Sequence, residues 1–67
     1  MKLIDLLDIL VESQEIVVTK PLETSIADTR GRVSFFKFNL LENHQRDIHV
    51  AYISKIDGLL HILISSN

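Results

Sequence analysis

Cysteine is absent from these 67 residues, which excludes a disulfide framework and any zinc site built on thiolates. The same absence fits a reducing compartment, so a cytoplasmic protein is expected. Glycine is scarce: Gly31 and Gly58 are the only two, too few for a phosphate-cradling loop. Proline occurs once, at Pro21. No apolar run approaches the ~20 residues that a membrane-spanning helix needs. No targeting signal is expected at Met1-Lys2-Leu3-Ile4, because Asp5, Asp8 and Glu12 interrupt the apolar run and no small-residue cleavage site follows. An excess of one charge is also missing. The formal net charge of −2 argues against attachment to nucleic acid by bulk charge, and equally against an acidic nucleic-acid mimic. Without repeats, low-complexity segments or linkers, residues 1–67 read as one small domain near the lower size limit for a self-sufficient core.

What is present is apolar and patterned. Hydrophobic residues make up 46% of the chain, which is typical of a globular chain and argues against disorder. The strongest local signal lies at the end, where Ile48–Lys55 and Leu59–Ser65 flank Ile56-Asp57-Gly58 as two strands of a hairpin. A two-residue loop would pair Ile56 with Leu59; a three-residue loop with Gly58 left-handed would pair Lys55 with Leu59. The three-residue loop separates apolar from mixed positions better and is the expected register. It places Ile48, Val50, Tyr52, Leu60, Ile62 and Ile64 on a core face, and His49, Ile53, Lys55, Leu59, His61 and Leu63 on the other.

Residues 3–12 read as an amphipathic helix, with Leu3, Ile4, Leu6, Leu7, Leu10 and Val11 on one arc and Asp5, Asp8 and Glu12 opposite. Ile9 falls on the polar side, as a singly exposed residue or, alternatively, as part of a contact surface. Glu15–Thr19 reads as a strand stopped by Lys20-Pro21. Residues 22–28 are ambiguous, with Ile26-Ala27 a possible short strand and Asp28–Gly31 resembling a turn. Arg32–Leu41 reads as a further strand, with either a bulge at Phe35-Phe36 or apolar load on both faces. Without the bulge, Phe36, Phe38 and Leu40 pack under the helix while Val33, Phe35 and Lys37 face away. The expected fold is α+β: one N-terminal helix on one face of a four- to five-stranded antiparallel sheet that ends in the Asp57-Gly58 hairpin.

One helix covers one side of a sheet. The other side would carry Val33, Phe35, Ile53, Leu59 and Leu63 among His49, His61, Lys37 and Lys55, which is apolar for a surface in water. Either the sheet curls into a half-barrel, or this face meets another chain, as a homodimer or on a target protein. The expected partner-binding residues are therefore Phe35, Lys37, Ile53, Lys55, Leu59, His61 and Leu63.

Chemistry-bearing patterns are sparse. His49 and His61 lie two pairs apart along the ladder, too far for one metal ion, and His44 sits in a loop, so no metal site or cofactor is expected. Ser25, Ser34, Ser54, Ser65 and Ser66 lack a Gly-x-Ser-x-Gly turn or an evident base, so no enzyme is expected. Nucleic-acid binding is the alternative, with Arg30, Arg32, Phe35 and Lys37 as a basic and aromatic sheet platform. Val-Ser-Phe-Phe-Lys-Phe lacks the glycines of an RNA-recognition strand. The acidic ridge Asp5-Asp8-Glu12 reads as the solvent face of the helix, or as a dock for a basic partner.

The segments Leu3–Leu10, Glu15–Thr19, Val50-x-x-Ile53 and Asp57-Gly58-Leu-Leu-x-Ile-Leu-Ile resemble those of small accessory proteins encoded by phages, prophages and mobile elements of Gram-positive bacteria. The resemblance implies action without catalysis, by binding and blocking a host protein such as a defence nuclease. The combined expectation is a non-enzymatic protein-binding module, an inhibitor or regulator that works by stoichiometric contact.

Overall fold

Leucine and isoleucine at positions 3, 4, 6 and 7 make an apolar helical stripe. In the computed structural model, which describes residues 1–21 and 26–65, this stripe is the buried side of helix α1 (Leu3–Ile9). The helix is shorter than its periodicity predicts. Leu10 turns extended (φ −92°, ψ 156°), donating its N–H back to the Leu7 carbonyl at 3.3 Å. Leu10 still packs on the core, but Val11, expected on the same arc, is left exposed. Ile9 is exposed, as its position beside Asp5 predicts.

The elements that follow are β1 (Glu15–Pro21), β2 (Ile26–Arg32), α2 (Val33–Glu42), β3 (Val50–Ile56) and β4 (Leu59–Ile64). The four strands form one sheet in the order β2-β1-β4-β3. β1–β2 and β3–β4 are antiparallel, whereas the central pair β1–β4 is parallel. The expectation of a purely antiparallel sheet with a single helix is thereby corrected. Ile16, Val17 and Val18 on central β1 are all buried, Ile16 and Val18 in the cluster under the helices and Val17 on the opposite face between its ladder partners. Pro21 is the last residue of β1, where a missing N–H costs the ladder least.

Residues 26–32 form a strand, so the turn expected at Asp28–Gly31 is corrected; Leu22–Ser25 of the ambiguous stretch lie outside the described residues. The largest correction is Arg32–Leu41, expected as a strand and found as α2 from Val33 onward. Its β-branched and aromatic content suits a strand. Yet Val33, Phe36 and Leu40 are the buried residues, and that spacing is the stripe of a helix. No bulge is needed at Phe35-Phe36, and Phe38, expected under the first helix, is 65% exposed. The start of α2 has no side-chain cap. Its N–H groups are satisfied by tertiary structure: Val33 donates to the Gln14 carbonyl at 2.9 Å and Ser34 to the Glu12 carbonyl at 3.0 Å.

α2 ends in a Schellman arrangement. His44 (φ 55°) takes the left-handed position, its N–H donating to the Leu41 carbonyl while that of Gln45 reaches the Leu40 carbonyl at 2.8 Å. Gly31 sits under the start of α2, where a Cβ would lie 3.2 Å from a Phe35 ring carbon and 3.4 Å from one of Phe36. The ring edges of Phe35 and Phe36 meet at 5.4 Å and 73°. Lys37 Nζ lies 3.3 Å from both Asp8 and Glu12, tying α2 to the α1 region.

Both helices lie on one face of the sheet. Leu3, Ile4, Leu6 and Leu7 of α1, and Val33, Phe36 and Leu40 of α2, form one cluster with Ile16, Val18, Ile62 and Ile64. Two layers account for the short dimension of a body measuring 32 × 31 × 18 Å.

The C-terminal hairpin follows the register that sequence reasoning set aside. Ile56 pairs with Leu59 across a two-residue loop, and both Asp57 (φ 53°) and Gly58 (φ 79°) are left-handed. Asp tolerates that conformation, and two successive left-handed residues match the twist of the flanking strands. The register shifts by one between Tyr52 and Val50, so that Tyr52 pairs with Leu63 while Val50 pairs with Ile64. Val50 and Ile48 therefore pack on the core as expected, but Tyr52, expected beside them, turns to the opposite face. Before β3, Lys2 bridges to His49, Leu3 N–H donates to the Ile48 carbonyl and Val50 N–H to that of Met1. The N-terminus thus lines the first part of that sheet edge.

Candidate functional site

The side of the sheet without helices is the candidate site. Pairing registers place its residues in rows. One row runs Tyr52, Leu63, Thr19, Asp28, and the next Ser54, His61, Val17, Arg30. Ile56 and Leu59 extend the β3–β4 end, Glu15 and Arg32 the β1–β2 end. The face is graded. At its β3–β4 end Tyr52 is 64% and Ile56 51% exposed, with Leu59 and Leu63 half-buried beside them. At its β1–β2 end stand Glu15, Asp28, Arg30 and Arg32. The Arg30 guanidinium grips the Glu15 carboxylate through Nε at 3.0 Å and Nη2 at 2.7 Å. Val17, flanked in the ladder by Arg30 and His61, is only 6% exposed although no helix covers it. With Tyr52 and Ile56 open to solvent, the sheet has not curled into a half-barrel.

The seven residues expected to share a contact face fall in three places. Leu59, His61 and Leu63 lie on the open face. Ile53 and Lys55 pair with Ile62 and Leu60, which puts them on the helix-bearing side. Phe35 and Lys37 are on α2, Phe35 exposed and Lys37 held by Asp8 and Glu12. The hydrogen bonds that Glu12 and then Asp8 accept from its ammonium raise the Lys37 pKa above its ordinary value. The acidic ridge is accordingly split, with Asp8 and Glu12 engaged inside the molecule. Of the proposed nucleic-acid set, Arg30 and Arg32 share the open face, but Phe35 and Lys37 do not join them. Tyr52, Ile56 and Val17 went unrecognised as residues of this face. The two-residue register at Asp57-Gly58 was the signal that would have found Tyr52 and Ile56.

Other features are modest. Two adjoining hollows of about 270 and 280 Å³ share Lys20, Gln45, Ile48 and Ile64, at the lower limit of ligand-sized cavities. Among the described residues, no group of three or more His, Asp or Glu side chains is arranged to hold a metal ion. Ser25 and Ser66 lie outside the described residues. No described helix is long and apolar enough to cross a membrane.

Fold and site define a small two-layer α+β domain with one face of a mixed sheet left open. No protein family, curated protein or solved structure matches the chain.

Proposed function

We propose that this chain is a non-enzymatic binding module that acts by stoichiometric contact with another protein. It would be an inhibitor or regulator, with a host target of the kind that phage and mobile-element accessory proteins block. The observation that carries this reading is the open sheet face, where Tyr52, Ile56, Leu59 and Leu63 keep apolar surface in water beside a charged end. An apolar centre with a polar rim is how protein contact surfaces are commonly built, and Arg30, Glu15 and Arg32 would provide one side of that rim. Nucleic-acid binding is the weaker reading, because Arg30 is already engaged by Glu15 and the net charge is −2.

The deciding experiment is affinity capture from host lysate with the wild type and with Leu59→Ser and Leu63→Ser, alongside binding of a hydrophobic dye. A captured protein that both variants lose supports the reading. No dye binding, together with equal capture by all three, overturns it. Salt-sensitive binding to oligonucleotides, lost in Arg32→Ala, would favour the nucleic-acid reading instead.

A further inference from the structure

We propose that β3 is a self-association edge, at which a second copy of this chain pairs its own β3 antiparallel about a two-fold axis to make a continuous eight-stranded sheet. The inference extends the protein-contact reading by naming one partner, but it uses the sheet edge rather than the open face, so each can fail alone.

The two-residue turn makes Ile56 and Leu59 its closing, hydrogen-bonded pair. Alternation then commits the N–H and C=O groups of Ile56, Ser54 and Tyr52 to β4, while those of Ile53 and Lys55 point outward. Met1–Leu3 lines the edge only as far as Val50. Beyond that point, among the described residues, no β3 side chain belongs to the core cluster.

The side chains are those of an unprotected edge. Proteins usually guard such edges with charge, proline or short strands. From Val50 to Ile56 the strand has one charge, Lys55, no proline, and three large apolar side chains in solvent: Tyr52, Ile53 at 41% exposure, and Ile56. At the opposite edge, β2 carries Asp28, Arg30 and Arg32.

The segment also complements itself. In a two-fold pairing centred on Ser54, Ser54 faces Ser54 of the second copy and Tyr52 faces Ile56, an aromatic against a β-branched side chain on the open face. Ile53 faces Lys55 on the other side, where the lysine stem can lie along the isoleucine while the ammonium stays in water. The outward-pointing residues Ile53 and Lys55 then exchange the new hydrogen bonds. The two lysines are offset rather than opposed, so like charges do not meet. The open faces of the two copies join into one.

Sedimentation equilibrium across micromolar concentrations tests the proposal. The wild type is expected to approach twice the 7.7 kDa chain mass. Tyr52→Lys should weaken the dimer by about tenfold or more, because it sets a charge against Ile56 of the second copy without touching the monomer's ladder. Ile53→Pro removes only an outward-facing donor and should abolish the dimer. If that variant does not fold by circular dichroism, Tyr52→Lys decides. Ser54→Cys reports the register, because the chain has no other cysteine and the central pair would bring the two Cα atoms to roughly 4.5 Å, within disulfide range. Mild oxidation of this variant should give a covalent dimer. A wild type that stays monomeric throughout overturns the proposal, as does a dimer unaffected by both edge variants.

Discussion

At one edge of the sheet, β2 reads Ile-Ala-Asp-Thr-Arg-Gly-Arg; at the other, β3 reads Val-Ala-Tyr-Ile-Ser-Lys-Ile. By composition β3 is much the better strand, yet most of its residues are exposed. β2 has poor strand propensity and is held from outside, with α2 starting directly at its end and Phe35 and Phe36 closing over Gly31. β3 is held mainly by its own hairpin. One edge is thus a product of tertiary contact and the other of local sequence, and strong strand propensity marks neither burial nor the centre of the sheet.

The largest effect expected to break this comparison is at Phe36. Phe36→Ala should cost about 3–5 kcal/mol, enough to unfold much of a chain this small, whereas Tyr52→Ala on β3 should stay within about 0.5 kcal/mol in dilute solution. Urea titration followed by circular dichroism measures both. Next, Gly31→Val should cost about 1–3 kcal/mol by forcing α2 away from β2, seen as a lower urea midpoint. His44→Gly should stabilise by about 0.5–1 kcal/mol by relieving the left-handed residue after α2, and the thermal midpoint should rise.

The smallest effect concerns Lys37. Lys37→Met should lower the thermal midpoint at neutral pH, and the deficit should shrink in high salt. The folded-state pKa of Lys37 is raised, so its stabilising contribution is fully present below about pH 10.5 and fades as the pH climbs through the raised value. Wild type and variant should therefore converge in alkali. A gap that persists there would mean that the lysine stem, rather than its charge, joins the helices.

Much of the candidate face was legible in the chain, but not all of it from one signal. Leu59, His61 and Leu63 lie on the face opposite Leu60, Ile62 and Ile64 as expected, although the three-residue loop from which those faces were assigned is not the one present. Tyr52 and Ile53 were exchanged because a one-residue difference in loop length flips a strand's faces. The shift between Val50 and Tyr52 then returned Val50 to the expected side, which no pattern of alternation foretells. Phe35 and Lys37 were misplaced for a different reason. Val33–Glu42 contains aromatic and β-branched residues that suit a strand, and nothing in its first turn signals a helix cap.

By itself, the sequence determined the elements whose stabilising groups are local. These are the apolar stripe of α1, the run Ile16–Val18, the Asp57-Gly58 hairpin, and an α+β class with more apolar surface than its helices can cover. Only the tertiary structure decided α2, whose first N–H groups are accepted by carbonyls of Glu12 and Gln14, about twenty residues earlier. It alone decided that β1 and β4 run parallel at the centre, and hence that charged β2 and apolar β3 are the edges. Those choices depend on backbone groups and on contacts between distant segments, which the spacing of neighbouring side chains does not by itself specify.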